Sequence, residues 1–380
     1  MRFDRLLFPK GEVILAHVLQ CGQAFRWVWN SNKNYYATSM LLNDSLGYKI
    51  VILRQKDEST IEYSIYKDDS DKSFDALRTC LQHYLRLDVS LEKLLSEWSA
   101  VDKNFVNKCH RGVRVLGQEP WETLCSFICS SNNNISRITK MCHSLCGEYG
   151  KEIGNLDGIS YYSFPSSNDI VHKASEEHLR ELGFGYRARY IIGAAKLMHQ
   201  DKPVSMSDTE YIKSWHKKLS KPEIRERFLA FPGVGPKVAD CVCLMGMQMD
   251  DVVPIDVHMQ RIAERDYRFN ATANKAEELK ERYKALPLTR KSMNIKLELA
   301  REMFASKWGP YAGWAQGVIF AQEINKTVGA TTEDMHLVKR VKKEEEKSSS
   351  ATLEVKVEGI EYSNTGRPMR WASKKVNYNV

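Results

Sequence analysis

What the chain lacks narrows its class first. Across 380 residues no apolar run approaches the roughly twenty residues that a bilayer helix needs. The longest, such as Val238 to Met249, are broken well before that, and the mean hydropathy of -0.45 agrees. A secretory leader is not expected, because Met1 to Gln20 carries Asp4 and Glu12 among Arg2, Arg5 and Lys10 and has no long apolar centre; a mitochondrial presequence stays open. The nine cysteines show no metal-ligand spacing and no four-cysteine cluster for iron and sulfur. Their odd number and scatter from Cys21 to Cys243 suit reduced thiols in the cytosol or nucleus, and Cys125/Cys129 and Cys142/Cys146, four apart, read as small buried helix residues. Charge of one sign is scarce too: 56 basic against 48 acidic side chains leave +8, which admits a polyanionic partner without establishing one.

What is present is an ordinary globular composition, 43% hydrophobic and 27% charged, in a length that suits two or three domains. Phe25 to Trp29, Tyr35 to Met40, Tyr48 to Arg54 and Ile61 to Tyr66 are rich in β-branched and aromatic residues between turn signals, which predicts an antiparallel sheet. Phe74, Leu77, Leu81, Tyr84 and Leu85 then recur at helical spacing. From about Asp102 to Glu323 the period becomes 3.6 and strand signals vanish, with breaks near Asn132 to Asn134, Gly183 to Gly185, Phe231 to Pro236 and Val252 to Pro254. The expectation is therefore an α+β chain: an N-terminal antiparallel sheet domain with packed helices over 1–101, an all-α body over 102–324, and a charged tail over 325–380. That tail holds 11 basic and 8 acidic side chains, a net +3, and leaves only +5 for the rest. Its basic run Lys339 to Lys343 reads equally as a nuclear-import signal or a solvated charge run.

The most informative stretch is 222–247. An amphipathic helix with Ile224, Phe228 and Leu229 meets Phe231-Pro232-Gly233-Val234-Gly235-Pro236-Lys237, and a second helix follows through Val238, Cys241, Val242 and Met245. Gly233 and Gly235 permit conformations and close approaches that a Cβ forbids, and Pro236 suits a first helical turn. This is a helix-hairpin-helix, whose free N–H groups at the positive end of the second helix would cradle a DNA phosphate without reading bases; the plain alternative is an interhelical turn. Lys237 stands at that same positive end, where an ammonium is disfavoured; in a partly dry site the amine becomes a usable nucleophile, and the plain alternative is a phosphate-binding or solvated lysine. Nineteen residues on, Asp256 opens another helical pattern in Val252-Val253-Pro254-Ile255-Asp256-Val257-His258. It can cap that helix and also stabilise a cation developing on a sugar.

These residues, together with Gly313-Trp314-Ala315-Gln316, resemble the helix-hairpin-helix DNA glycosylases, and more narrowly the eukaryotic, fungal-type 8-oxoguanine DNA glycosylase/AP lyases. Gly22-Gln23-Ala24-Phe25-Arg26-Trp27, Phe127 to Ile135 and Gly183 to Tyr190 match as well, so the resemblance runs from about residue 10 to 323. It implies base excision repair in which the damaged nucleotide leaves the duplex. Lys237 would displace 8-oxoguanine at C1′ and form a Schiff base, β-elimination would cut 3′ to the lesion, and no cofactor or metal would be needed. Asp256 would stabilise the cationic sugar. The Gly22 carbonyl would accept the N7 proton that distinguishes 8-oxoguanine from guanine, Gln316 would read the Watson-Crick edge, and Phe320 and Cys241 would cover the two faces. Opposite the lesion Asn132 would fill the gap, Arg137 and Arg187 would donate to the estranged cytosine, Tyr186 would wedge beside it, and His258 would meet a flanking phosphate. The partner implied is double-stranded DNA with 8-oxoguanine opposite cytosine, met by a monomer in the nucleus, with the mitochondrion left open. Two alternatives remain at this level, a glycosylase for another damaged base and a non-catalytic DNA clamp. Ala24 departs from the serine common in the family's segment, and the tail matches nothing.

Overall fold

A computed structural model describes residues 1–106 and 111–328. The charged tail, with Lys339 to Lys343, lies outside the described residues. Five strands, β1 (Asp4–Leu7), β2 (Val28–Asn30), β3 (Tyr35–Leu41), β4 (Tyr48–Asp57) and β5 (Thr60–Ile65), form one antiparallel sheet in the order β1-β5-β4-β3-β2. The helix Asp71–Tyr84, capped by Ser70, lays Phe74, Leu77 and Leu81 on one face, against Val51, Leu53, Ile61, Tyr63 and Ile65. Period-2 and period-3.6 patterns thus meet face to face, as the sequence predicts.

β4 does not alternate between buried and exposed residues: Ile50, Val51, Ile52 and Leu53 are all buried. Consecutive burial means that both faces of the sheet are covered. The second cover is a hairpin of β6 (Glu152–Leu156) and β7 (Ile159–Tyr162), whose Leu156 and Tyr161 pack on Tyr35, Ala37, Ile50 and Ile52. The body beyond residue 102 is therefore helical apart from this pair of strands, which the sequence reading passes over. Their signal is Asp157-Gly158, both at positive φ (53° and 82°), the backbone that a tight hairpin turn demands.

The remaining described chain is a packed set of helices around a large apolar core running from Trp98 and Trp121 to Phe304 and Trp308. None among the described residues is long and apolar enough to cross a membrane. The helix Ala312–Val328 extends past residue 324, where helical periodicity gives out in the sequence.

Candidate active site

The hairpin forms as its punctuation predicts. The helix Lys221–Leu229 starts with a Ser220/Glu223 capping box, the loop passes through Gly233, and Pro236 opens the helix Pro236–Cys241, which runs into a π-helical turn over Val242–Gly246. The two glycines do different work. Gly233 has φ +81° and a Cβ there would meet Tyr190 Cβ at 2.6 Å. Gly235 has φ -101°, an ordinary value, and a Cβ would meet nothing within 4 Å. The expectation of backbone strain and close approach holds for Gly233 and is corrected for Gly235, whose missing side chain only leaves space in front of the second helix.

Lys237, half-buried in the first turn, directs its amine over the Phe127 ring at 4.8 Å from the centroid, a cation–π geometry. Cys241 follows one turn later and is buried; burial pushes its thiol up to about 11, with Lys237 acting in the opposite sense. Asp256 caps the helix Val257–Tyr267, its Oδ1 accepting from the N–H groups of His258 and Met259 at 2.9 Å each. That fixes the carboxylate at the mouth of the cleft.

A third wall comes from the helix Ala312–Val328. Gly313 lets it approach closely, since a Cβ there would sit 2.4 Å from Leu244 Cδ1 and from the Val252 carbonyl. One face of this helix then presents Gln316, which is buried, and Phe320. The fourth wall is Gly22, at φ +84°, on the sheet domain; the atom that a Cβ would crowd is Ile135 Cδ1 at 3.0 Å. Gly22, Lys237, Cys241, Asp256, Gln316 and Phe320 thereby line one cleft of about 660 Å³. A longer groove of about 3470 Å³ adjoins it and passes Asn132, Gly235, Lys237, Asp256, His258 and Phe320. His258 also presents its ring to Phe320, edge to face at 6.1 Å between centroids.

The residues expected opposite the lesion are arranged differently. Asn132 is exposed at φ 48° in the turn after the helix Pro120–Ser130. Arg187 is buried, and its guanidinium donates to the carbonyls of Ser131 and Asn132, the latter at 3.0 Å. Tyr186 donates to Ser131 O at 3.1 Å, and Arg137 to Gly183 O at 3.0 Å. Together they hold the Asn132 turn, and Arg187 in this state has its fork committed to backbone rather than offered to a base.

Several residues in and around the cleft carry no assigned role in the sequence reading, although the segments of Phe127, Gln23 and Arg26 stand out there. Phe127 supplies the floor under Lys237 and is met edge-on by Phe25 at 5.8 Å. Gln23 ties the Gly22 loop down, donating to Arg114 O at 2.8 Å and accepting from Leu116 N at 3.0 Å. Arg26 forks onto Glu122 at 2.8 and 2.7 Å. Arg114 pairs with Glu12 at 3.1 Å behind the cleft; burial brings its guanidinium down to about 10, with Glu12 working the other way. Ala24 packs in the core of the sheet domain and touches the groove, not the cleft.

A sheet domain closing a lysine-bearing hairpin cleft that opens on a long groove defines a helix-hairpin-helix DNA glycosylase. Comparison with known proteins agrees. Residues 5–124 match the N-terminal domain of 8-oxoguanine DNA glycosylase, and 125–287 match the HhH-GPD superfamily of base excision DNA repair proteins. The N-glycosylase/DNA lyase of Saccharomyces cerevisiae is 50% identical over 334 residues, 87% of this chain and 89% of that one. The N-glycosylase/DNA lyase OGG1 of Arabidopsis thaliana is 35% identical over 320 residues, 82% and 78% of the two chains. The fold is that of the apo 8-oxoguanine glycosylase/lyase of Clostridium acetobutylicum (TM-score 0.64, 24% identity, 85% and 96% covered) and of that enzyme on double-stranded DNA with cytosine opposite 8-oxoguanine (TM-score 0.62, 24% identity, 87% and 100% covered). The chain belongs to the 8-oxoguanine DNA glycosylase family, and so to the bifunctional N-glycosylase/DNA lyases of base excision repair.

Proposed function

We propose that the chain excises 8-oxoguanine lying opposite cytosine and then nicks the strand, with Lys237 as the nucleophile. The extruded nucleotide enters the 660 Å³ cleft while the duplex lies along the groove. The Lys237 amine bonds to C1′ as the C1′–N9 bond breaks, and the base leaves with the electron pair and takes up a proton. The resulting hemiaminal opens to an imine as the C1′–O4′ bond breaks and O4′ takes up a proton; loss of the 2′ proton expels the 3′ phosphate, and water releases the lysine. Asp256 faces the cationic sugar with a carboxylate already oriented by two N–H donors, so no reorganisation is needed as charge develops. Gly22 accepts from N7–H, Gln316 reads the pairing edge, and Phe320 and Cys241 enclose the ring. The observation that carries the reading is that these six residues, from four separate stretches of sequence, meet in one cleft.

Asn132 enters the duplex in this reading, and Arg137, Arg187 and Tyr186 favour cytosine across from the lesion; for Arg187 this requires release from Ser131 as the turn moves. His258 and the N–H groups beyond Gly235 take backbone phosphates. We place a monomeric enzyme in the nucleus, with the mitochondrion open as a second compartment. Its sheet domain (1–101) closes the pocket, its body (102–324) performs the chemistry, and its tail (325–380) adds positive charge.

The test is borohydride trapping on a duplex with 8-oxoguanine opposite each of the four bases in turn. A covalent complex strongest opposite cytosine is expected from the active protein, and none from Lys237→Gln, which still binds the duplex. Base release by Lys237→Gln would refute the role given to the lysine.

A further inference from the structure

Asp240, Glu298 and Arg301 border the groove, yet the charged set they form with Arg225 is largely closed off from solvent. Asp240 lies on the same six-residue helix as Lys237, three positions on. Arg225, from the first helix of the hairpin, donates to it through Nε at 2.6 Å and Nη2 at 3.2 Å. Nη2 also donates to Glu298, on the helix Ile295–Trp308, at 2.5 Å. Arg301 closes the set, giving Nε to Glu298 at 2.9 Å and Nη2 to the Tyr283 hydroxyl at 2.6 Å. The side chains of Asp240 and Glu298 are each 3% exposed and that of Arg225 6%. Two guanidinium groups and two carboxylates balance, yet Arg225 Nη1 is buried with no partner among the described residues.

Stability is a weak explanation for such a set. Removing paired ions from water costs as much as their attraction returns, and apolar side chains of the same volume often do as well. Location explains it better. The helix Pro236–Cys241 has fewer than two turns before its hydrogen bonding shifts to the π-helical turn, marked by Met247 N donating to Val242 O at 3.0 Å. A helix this short has little rigidity of its own. Its buried apolar contacts, through Val238 and Ala239, are non-directional, whereas a bidentate arginine–carboxylate pair fixes both distance and angle.

We propose that Asp240, gripped by Arg225 and backed by Glu298 and Arg301, is a positioning residue that sets the rotation of the short helix about its axis and so the point from which Lys237 reaches the sugar. Its carboxylate is 3% exposed and is held by Arg225, so it acts through the helix rather than on the substrate. The proposal rests on the reading of Lys237 as nucleophile, and the two fail differently: trapping and base release by Lys237→Gln would sink that reading, whereas the brace is judged on variants that keep the lysine.

The decisive variant is Arg225→Met with Asp240→Leu, which replaces the ion pair by apolar side chains of similar volume. Thermal midpoint, affinity for a duplex carrying a tetrahydrofuran abasic analogue opposite cytosine, and the single-turnover rate of 8-oxoguanine release are measured together. The expected result is a folded protein with affinity within about twofold of the parent and a rate lower by about a hundredfold, the scale of an ångström-sized misplacement of a reacting group. A parental rate overturns the proposal, and so does a rate that falls only in step with affinity. If the double variant does not fold, Asp240→Glu decides, because it keeps the charge and the pair but lengthens the arm by one methylene. A rate lower by about tenfold at parental affinity supports the brace, and an unchanged rate overturns it.

Discussion

The two hairpin glycines offer a sharp test, because they stand two residues apart and the structure assigns them opposite consequences. Gly233→Ala places a methyl where φ is +81° and where Tyr190 Cβ and Cγ lie 2.6 Å away. The left-handed backbone costs about 1–2 kcal/mol for a residue with a Cβ. The overlap adds about 1–3 kcal/mol, since the atoms struck are the root of Tyr190 and cannot swing aside. A loss of about 2–5 kcal/mol follows, which in a protein of this size lowers the thermal midpoint by roughly 3–7 °C. Gly235→Ala meets neither penalty: φ is -101° and nothing lies within 4 Å. Its midpoint should stay within about 2 °C of the parent. Its methyl instead occupies the space in front of the second helix, where a phosphate must come to reach the N–H groups. Loss of one charged hydrogen bond is worth about 1.5–3 kcal/mol, so affinity for lesion duplex falls roughly tenfold or more. Differential scanning calorimetry and fluorescence anisotropy with a labelled duplex, run on both variants, complete the test. Parental stability in Gly233→Ala refutes the packing argument, and parental affinity in Gly235→Ala refutes the phosphate cradle.

Asp256→Asn keeps a side-chain acceptor for the N–H groups of His258 and Met259, so the melting point should hardly move while single-turnover base release drops roughly a hundredfold; equal losses in both would mean that capping is all this residue does. Arg187→Ala removes the donors that hold the carbonyls of Ser131 and Asn132 and should cost about 2 kcal/mol in urea unfolding, with Arg187→Lys failing to restore it because an ammonium cannot reproduce the fork. Burial holds the Cys241 thiol protonated up to about 11 against an ordinary 9.0, so its contribution to stability is complete below pH 9 and is lost as pH climbs through 11. The thermal midpoint should fall across that window, and Cys241→Ala should flatten the fall; an identical alkaline profile in the variant would contradict the buried, neutral thiol.

Much of this protein can be read along its chain. Four of the five sheet strands, all but β1, together with the helix that covers them and the hairpin, announce themselves through neighbours two to four residues apart. Runs rich in β-branched and aromatic residues such as Tyr48 to Arg54, the helical spacing of Phe74, Leu77 and Leu81, and the Gly-Pro punctuation before Lys237 depend on backbone sterics that act locally. Lys237 and Asp256 stand out for the same reason, each opening a helix where its chemistry is useful.

The tertiary structure decided what depends on partners far away in sequence. Ile50 to Leu53 is continuously apolar because a hairpin a hundred residues on covers the second face of its sheet, and the Asp157-Gly158 turn gains its meaning only from that docking. Phe127, Gln23 and Arg26 stand in segments that the sequence marks without giving them roles, and Arg114 is not marked at all; Phe127 proves to lie beneath the lysine, and Gln23, Arg26 and Arg114 are each bonded across more than ten residues of separation. Gly233 and Gly235 are equivalent as letters and become different because Tyr190 stands against one and open groove against the other. Nothing in the sequence sets Asp240 apart from its neighbours on the helix, yet folding takes it from water and hands it to Arg225. Local sterics write themselves into the order of residues; desolvation and partnership do not, because they are set by which surfaces the folded chain brings together.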